Sequence, residues 1–210
     1  MIEIEFYETE DGKCPLEEYL DSLEPKLLAK TLRTIDLLEN NGTSLRGPYS
    51  EPLGDGIFEL RTKQGSDITR VLYFFFVGNK AVLTNGFTKK TQKTPKPELA
   101  LAKKYKDDYE GGIRMGSYKN YKEKALANPE VKAEYDAFGP EYDLIQVMID
   151  ARVNQNITQK ELSARTGITQ ADISRIENGT RNPSLEMVKR IAAGLGMQLK
   201  LEFIPAPTKH

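Results

Sequence analysis

Two helix-start signals close together constrain the fold of this chain more than any other feature of its sequence. Thr158 with Glu161 has the spacing of a capping box, and Thr169 with Asp172 repeats it eleven residues later. Gly167 lies between them and supplies the left-handed backbone that lets two short helices cross steeply. The spacing therefore predicts two capped helices joined by a tight turn. Their small core is formed by four aliphatic side chains: Leu162, Ile168, Ile173 and Ile176.

The segment around this helix pair resembles a known DNA-binding family. Residues 158–195, TQKELSARTGITQADISRIENGTRNPSLEMVKRIAAGL, are similar to the Cro/C1-type (XRE) helix-turn-helix, within a domain of residues 141–195. The resemblance implies operator DNA as a partner, with the second helix in the major groove. It assigns base contacts to Gln170, Ala171, Ser174 and Arg175. It assigns phosphate contacts to Gln159, Thr180, Arg181 and Asn182, and Thr169 completes the set. A helical hairpin that does not read DNA is the open alternative.

The end of the chain predicts a strand after these helices. Residues 197–204 alternate apolar and polar side chains with the two-residue period of a strand. A lone strand needs a partner edge, which is either its copy in a second subunit or the sheet of the first domain. The first option gives a homodimer with the two-fold symmetry that palindromic DNA requires.

The first half of the chain predicts a small α+β domain. Residues 2–7 alternate apolar and acidic side chains, and residues 43–56 have the glycines and prolines of a loop. The three later strands are separated by hairpin signals and form an antiparallel meander. In chain order the predicted elements are a strand at 2–7, helices beginning at Pro15 and Pro25, strands at 57–62, 68–77 and 80–87, and a helix at 96–109.

A change of pattern at Glu110-Gly111-Gly112 predicts the domain boundary. All later patterns except the final strand are helical, so the second domain is all-α with a C-terminal strand. Met115 is either the start codon of a second gene joined in frame or an ordinary methionine. The predicted parts are a first domain at 1–110, a linker or fusion junction at 111–117, and a second domain at 118–210 with helices at 118–127, 129–138 and 141–153.

Three segments of the first domain resemble a toxin family. GIFELR (56–61), TRVLYFF (69–75) and NGFTKKTQKTPKPELALAKK (85–104) are similar to HigB toxins of the RelE superfamily, which are small ribosome-dependent messenger-RNA endonucleases. The resemblance covers residues 1–109. A HigA-type antitoxin with an XRE fold is the usual partner of such a toxin, and a HigA-like segment follows here in the same chain. The resemblance therefore implies a type II toxin–antitoxin pair whose antitoxin also binds operator DNA and represses its own gene.

RNA cleavage sets chemical demands that the residues of this chain can meet. RNA carries its own nucleophile, the 2′-hydroxyl, so cleavage needs proton transfer and cations over the reacting phosphate. The only histidine is the last residue, His210, which excludes histidine-pair acid–base catalysis. The resemblance implies that Arg61 and Arg70 hold the phosphate and that Lys89 or Lys90 carries the proton or adds a clamp. It also implies RNA binding by Phe87 through stacking, by Lys93, and by Tyr73.

A structural interpretation of the same residues stays open. Arg61 and Arg70 can also be sheet-surface residues paired with Glu59 and Asp67, and the lysine run can be a solvated face or a simple RNA-binding strip. No residue pattern suggests a bound metal or another cofactor. The alternative function is a helix-turn-helix transcription regulator whose first domain binds RNA or an effector without catalysis.

Local charge and hydropathy predict the binding partners of the chain and its cellular compartment. Residues 80–106 carry a net charge of +7 and residues 152–200 one of +4, so two basic zones suit polyanions. Aromatic and acidic side chains in residues 118–150 predict a cover that packs against a basic rim of the first domain and inhibits it. The longest apolar run is seven residues, at 71–77, and the N-terminus lacks a signal-peptide pattern, so we expect no membrane contact and a cytoplasmic location.

Overall fold

The computed structural model describes residues 1–88, 94–112 and 115–202. The chain divides into two compact units, Met1–Gln146 and Val147–His210. This division differs from the boundary predicted at 110–117. The reason is that two of the helices predicted for the second domain pack against the first domain, one on a helix and the other on a strand, so they belong to the first unit.

The first unit is built on a six-stranded mixed sheet. Its strands are β1 (Glu3–Tyr7), β2 (Ser50–Gly54), β3 (Ile57–Gln64), β4 (Asp67–Phe76), β5 (Lys80–Thr88) and β6 (Met115–Ser117). Their order is β2-β3-β4-β5-β1-β6, and among these described strands only the β1–β5 pair is parallel. Strands β3, β4 and β5 form the predicted antiparallel meander.

The two edge strands are corrections to the prediction. β2 lies in the segment predicted as a loop, and β6 lies in the predicted linker. Both are short, and β2 contains Pro52 and Gly54, which weaken any strand pattern. An edge strand needs only one hydrogen-bonded neighbour, and here β3 and β1 supply it. β2 and β6 therefore form because a neighbouring strand pairs with each of them, and not because of a pattern in their own residues.

Helices cover both faces of this sheet. Along β3 and β4 successive side chains alternate between the faces. Thr69 contacts Thr31 of α2 (Pro25–Asn41) on one face, whereas Leu72 and Phe74 pack with Ala102 of α3 (Lys96–Glu110) on the other. The helices of the first unit are α1 (Pro15–Asp21), α2 (Pro25–Asn41), α3 (Lys96–Glu110), α4 (Tyr118–Leu126) and α5 (Pro129–Ala137), with α6 (Gly139–Asn154) beginning there.

The second unit contains the predicted capped helix pair. Its helices after α6 are α7 (Gln159–Thr166), α8 (Gln170–Glu177) and α9 (Leu185–Gly194). The capping box of Thr158 and Glu161 is complete, and Gly167 ends α7 with a left-handed φ of 66°. At α8 Thr169 accepts from the Asp172 amide, but the second bond of a capping box, to the Thr169 backbone, is not formed, and the Asp172 carboxylate pairs with Arg181. The four aliphatic residues of the predicted core are buried.

The predicted C-terminal strand is not formed over residues 197–202, the part that the structure describes. Alternation alone does not make a strand, because the backbone needs an edge to pair with. The described residues of the second unit contain no other strand to supply that edge. Residues 203 and 204 of the prediction lie outside the described chain.

No helix in the described ranges combines the length and the apolar character needed to cross a bilayer.

Candidate functional site

The sheet places Arg61 and Arg70 side by side. They are direct partners in the β3–β4 register, so both side chains leave the same face of the sheet, the one that α3 covers. The Arg61 side chain is 30% exposed and the Arg70 side chain 9%. The predicted pair of guanidinium groups therefore exists, with one member accessible and the other largely enclosed.

A buried carboxylate holds the two arginines together. Arg61 Nε donates to Glu59 Oε1 at 2.7 Å, and Arg70 Nε lies 3.4 Å from Glu59 Oε2. Thr94 Oγ1 donates to the same Glu59 Oε2 at 2.7 Å. Arg61 also forms an ion pair with Glu51, whose side chain is 50% exposed. The structural interpretation of the sequence is thus correct for Glu59, and Glu51 is a partner that sequence reasoning missed.

Both arginines remain permanent cations in this setting. Burial lowers the pKa of both guanidinium groups, and the charge of Arg70 adds to the effect on Arg61. An arginine starts so far above neutral pH that it still keeps its proton. These groups therefore suit binding of phosphate charge, and they do not suit proton transfer.

Of the two other predicted RNA contacts that the structure describes, Phe87 lies at the arginine pair and Tyr73 does not. Phe87 is the register partner of Arg70 on β5 and is half-buried beside it. Tyr73 is not brought to this site: it is three residues from Arg70 on one strand, so it points to the opposite face. There it is buried and bonded to Ser50 Oγ at 2.6 Å, and burial raises its pKa to about 12. The prediction for Tyr73 is therefore wrong.

The lysines of the predicted site, Lys89, Lys90 and Lys93, lie outside the described residues, and their roles stay predictions. The described residues on either side are both near the arginine pair. Thr88, the last residue of β5, pairs with Thr69, and Thr94 binds Glu59.

The ring of Tyr19 explains why position 86, in the segment that resembles the toxin family, is a glycine. A Cβ at this position would lie 2.1 Å from Cδ1 of Tyr19, so only glycine fits beneath the ring. Tyr19 in turn lies 3.2 Å from Thr88 through its hydroxyl. Tyr19 therefore packs directly on the end of β5 that leads to the lysines.

Residues 115–146, which we call the cover segment, dock on α1 and α2 through phenol groups. Tyr118 donates to Asp36 Oδ1 at 2.7 Å, and Tyr135 donates to Asp36 Oδ2. Tyr121 donates to Asp21 Oδ1 at 2.9 Å. The predicted cover exists, and two of its acids pair with basic residues as expected, Glu134 with Lys26 and Glu141 with Lys30 of α2. The phenol contacts with acidic residues of the first domain are an addition that the sequence did not predict.

Further contacts extend the cover segment along α2 and to the sheet edge. The hydroxyl groups of Tyr142 and Thr34 are 3.0 Å apart, and the side-chain amides of Asn41 and Gln146 bond each other in both directions. β6 pairs with β1 in antiparallel register. The cover segment thus packs on α2 and the β1 edge, whereas the arginine pair is on the face that α3 covers.

The second candidate site is the exposed surface of the helix-turn-helix. Seven of the predicted DNA contacts are exposed and Ser174 is half-buried. Arg175 and Arg181 both form ion pairs with Asp172. Gln159 is engaged elsewhere, since its amide donates to Glu177 Oε2 at 2.6 Å and that buried carboxylate is paired with Arg152. The seven exposed residues are Thr169, Gln170, Ala171, Arg175, Thr180, Arg181 and Asn182.

Among residues 1–88, 94–112 and 115–202, no group of three or more His, Cys, Asp or Glu side chains is arranged to hold a metal ion.

Family comparisons match two separate segments of the chain. Residues 18–107 match the phage-derived Gp49-like proteins, a member of the RelE-like superfamily, and residues 148–201 match the helix-turn-helix family of the XRE type. The chain thus carries a toxin-related Gp49-like domain followed by an XRE-type helix-turn-helix. The superfamily resemblance found in the sequence is confirmed at this level, and the specific HigB–HigA pairing stays a prediction.

Two curated relatives share part of the sequence. An uncharacterized HTH-type transcriptional regulator of Sinorhizobium fredii is 42% identical over 66 residues, which are 31% of this chain and 32% of that protein. An uncharacterized HTH-type transcriptional regulator of Haemophilus influenzae is 37% identical over 67 residues, 32% of this chain and 66% of that protein. The match covers less than two thirds of either relative.

Proposed function

We propose that this chain joins a ribonuclease toxin of the HigB type to a HigA-type antitoxin that binds operator DNA and represses its own gene. The observation that carries the toxin part is the cross-strand pair of Arg61 and Arg70, set on one face of a RelE-like sheet. Two adjacent permanent cations match the charge that develops on a phosphodiester during cleavage.

The proposed reaction uses the nucleophile that RNA itself contains. The 2′-hydroxyl attacks the neighbouring phosphorus, the bond to the 5′-oxygen breaks, and a proton reaches that leaving oxygen. Arg61 contacts the phosphate directly, and the more deeply buried Arg70 adds a second positive charge beside Arg61. Lys89 or Lys90 stays the proposed proton carrier, since neither arginine gives up its proton at neutral pH.

Carboxylate pairing determines which arginine is available to substrate. Glu59 is buried and stays bound to both arginines, whereas Glu51 is half exposed and can move away from Arg61. A phosphate therefore exchanges with Glu51 and approaches Arg61 from solvent. This order assigns direct contact to Arg61 and a positioning role to Glu59.

The position of the cover segment suggests how the toxin part is inhibited. It packs on α2 and the β1 edge, and not on the face of the arginine pair. Inhibition then works by keeping a large partner, the translating ribosome, off this side of the domain. The tether gives the cover segment a roughly millimolar effective concentration.

The helix-turn-helix supports the autorepression part of the proposal. Its exposed residues Gln170 and Arg175 are side chains that pair with adenine and guanine in the major groove. A homodimer on a palindromic operator is part of the proposal, because dimers read two half-sites one helical turn apart.

A translation assay tests the proposal with full-length chains. Asp36→Ala removes the carboxylate that binds Tyr118, Tyr135 and Lys122, which loosens the cover segment. Glu123→Ala, an exposed acid of α4, is the matched control. We expect Asp36→Ala to inhibit a cell-free translation extract, and Glu123→Ala and the unmodified chain to leave it active. Equal activity of all three extracts contradicts inhibition by the cover segment.

A regulator without catalysis is the second candidate, and one observation favours it. Both arginines already have carboxylate partners and Arg70 is largely enclosed, as in a purely structural ion-pair network. Adding Arg61→Gln to Asp36→Ala separates the two candidates. Catalysis requires cut messenger RNA to form with Asp36→Ala and to disappear with the double variant, whereas a regulator without catalysis produces no cut messenger RNA with either chain.

A further inference from the structure

One carboxylate forms ion pairs with both arginines of the proposed DNA-reading surface. Asp172 Oδ1 lies 3.5 Å from Nη1 of Arg175 and directly contacts Nη1 of Arg181. The Asp172 side chain is 22% exposed, against 62% for Arg175 and 42% for Arg181. In the free protein, each guanidinium that a phosphate or base needs is therefore already paired with the same carboxylate.

A hydrogen-bonded turn brings Arg181 back to the start of α8. The carbonyl oxygen of Arg175 accepts from the backbone N–H of Thr180 at 2.9 Å and from that of Arg181 at 3.2 Å. The side chain of Asn178 accepts from Thr180 N–H at 3.1 Å. These bonds fix the backbone after the helix, so the fold itself places Arg181 beside Asp172.

Asp172 is anchored and ionised at this position. Its backbone N–H donates to Thr169 Oγ1 at 3.1 Å. Hydrogen bonding with Thr169 and then the interaction with Arg181 lower the pKa of its carboxyl group. An ionised carboxylate repels phosphate, and in the major groove it accepts a hydrogen bond from the N4 amino group of cytosine.

We propose that Asp172 is a specificity-determining residue, which restrains Arg175 and Arg181 on non-specific DNA and releases them where a cytosine amino group binds its carboxylate. The inference rests on the DNA binding proposed above. On a random duplex, phosphates compete with Asp172 for both guanidinium groups. On a matching site the cytosine takes over the carboxylate, and both arginines turn to the DNA.

The test compares three full-length chains. Asp172→Asn keeps the shape of the side chain and the backbone bond to Thr169 but removes the charge. Glu186→Gln removes the same charge from the first turn of α9 and is the matched control. Fluorescence anisotropy titrations use an operator selected from random duplexes by the unmodified chain and a scrambled duplex of equal composition, each over a series of KCl concentrations.

We expect Asp172→Asn to bind the scrambled duplex about threefold or more tightly, with a salt slope steeper by about 0.9 for each arginine released. Its preference for the operator falls, while Glu186→Gln shows only the smaller effect of one lost charge. The role of Asp172 is overturned if Asp172→Asn matches Glu186→Gln, or if it weakens binding to both duplexes by the same factor. If the unmodified chain binds no duplex, the proposed DNA binding fails and this inference fails with it.

Discussion

Carboxylates hold arginine pairs in both compact units, but the two carboxylates differ in exposure. The Glu59 side chain between Arg61 and Arg70 is 2% exposed, whereas the Asp172 side chain between Arg175 and Arg181 is 22% exposed. A buried carboxylate leaves uncompensated charge behind when it is removed, and an exposed one is replaced by water or phosphate. The first arrangement therefore fixes a geometry, and the second permits exchange.

The largest expected effect is on the buried pair. Glu59→Gln leaves Arg70 enclosed without a counter-charge, and we expect the free energy of unfolding to fall by about 3 kcal/mol. Glu51→Gln, at the exposed partner of Arg61, should cost less than about 1 kcal/mol. Urea unfolding of both full-length variants measures the difference. Equal costs would show that burial does not distinguish the two carboxylates.

Alkaline pH should lower the stability of the first unit more than that of the second, because all ten tyrosines lie within residues 1–146. Burial raises the pKa of Tyr73 to about 12, and burial together with a bond to Asp108 raises that of Tyr7 to about 12. Their folded pKa values exceed the unfolded ones, so the stability they contribute is complete below about pH 10 and is lost as pH rises towards 12.

The loss amounts to at most about 1.4 kcal/mol per pH unit for each buried tyrosine. Phenolate absorbance should rise together with the unfolding of the first unit, and urea unfolding followed by circular dichroism should retain a transition from α7–α9. A titration of Tyr73 with an ordinary phenol pKa in the folded chain would contradict its burial.

Gly86 should tolerate no side chain while Tyr19 is present. Gly86→Ala places a methyl group against the Tyr19 ring, and we expect a loss of about 1–3 kcal/mol in unfolding free energy. Tyr19→Ala in the same chain should recover part of that loss, which a double-mutant cycle measures as coupling. Additive losses would show that the two residues do not meet.

The cover segment should be sensitive to a single hydroxyl. Tyr118→Phe removes a buried bond to Asp36, and we expect a loss of about 1–2 kcal/mol in thermal or urea unfolding. Tyr105→Phe is the control, because the Tyr105 ring stacks on Tyr7 and keeps that contact as phenylalanine. Similar losses at both positions would refute a specific role of the Tyr118 hydroxyl.

The smallest effect should fall on the exposed pair. Asp172→Asn should change the free energy of unfolding by less than about 1 kcal/mol, because exposed ion pairs contribute little. Urea unfolding beside Glu59→Gln checks this contrast. A loss as large as that of Glu59→Gln would mean that Asp172 is a structural residue.

The resemblance to the toxin family singles out Arg61 and Arg70, and the hairpin between β3 and β4 explains why the two side chains meet. Arg61 and Arg70 are nearly equidistant from the turn at Gly65-Ser66-Asp67, so they come opposite each other. The alternation of side chains along a strand could also have corrected the prediction for Tyr73. Tyr73 and Arg70 are three residues apart on β4, and an odd separation places two side chains on opposite faces of the sheet. The capped helix pair is equally local, which is why its prediction holds.

Local sequence patterns do not reveal the contacts between segments that are far apart in the chain. β6 has three residues and no period of its own, and it forms because β1 offers a free edge. Glu51 lies in a segment rich in glycine and proline, where no pattern indicates that it reaches Arg61. The phenol contacts of Tyr118 and Tyr121 with acids appear only once α4 is packed on the first domain.

Cleavage at the arginine pair is tested most directly by mapping the 5′ ends of messenger RNA after translation with Asp36→Ala, alone and combined with Arg61→Gln. Lys63→Gln, an exposed cation two residues further along β3, is the matched control in the same background. We predict new 5′-hydroxyl ends with Asp36→Ala and with its Lys63→Gln derivative, and none with its Arg61→Gln derivative. New ends that persist in the folded Arg61→Gln chain would contradict a cleavage site at the arginine pair.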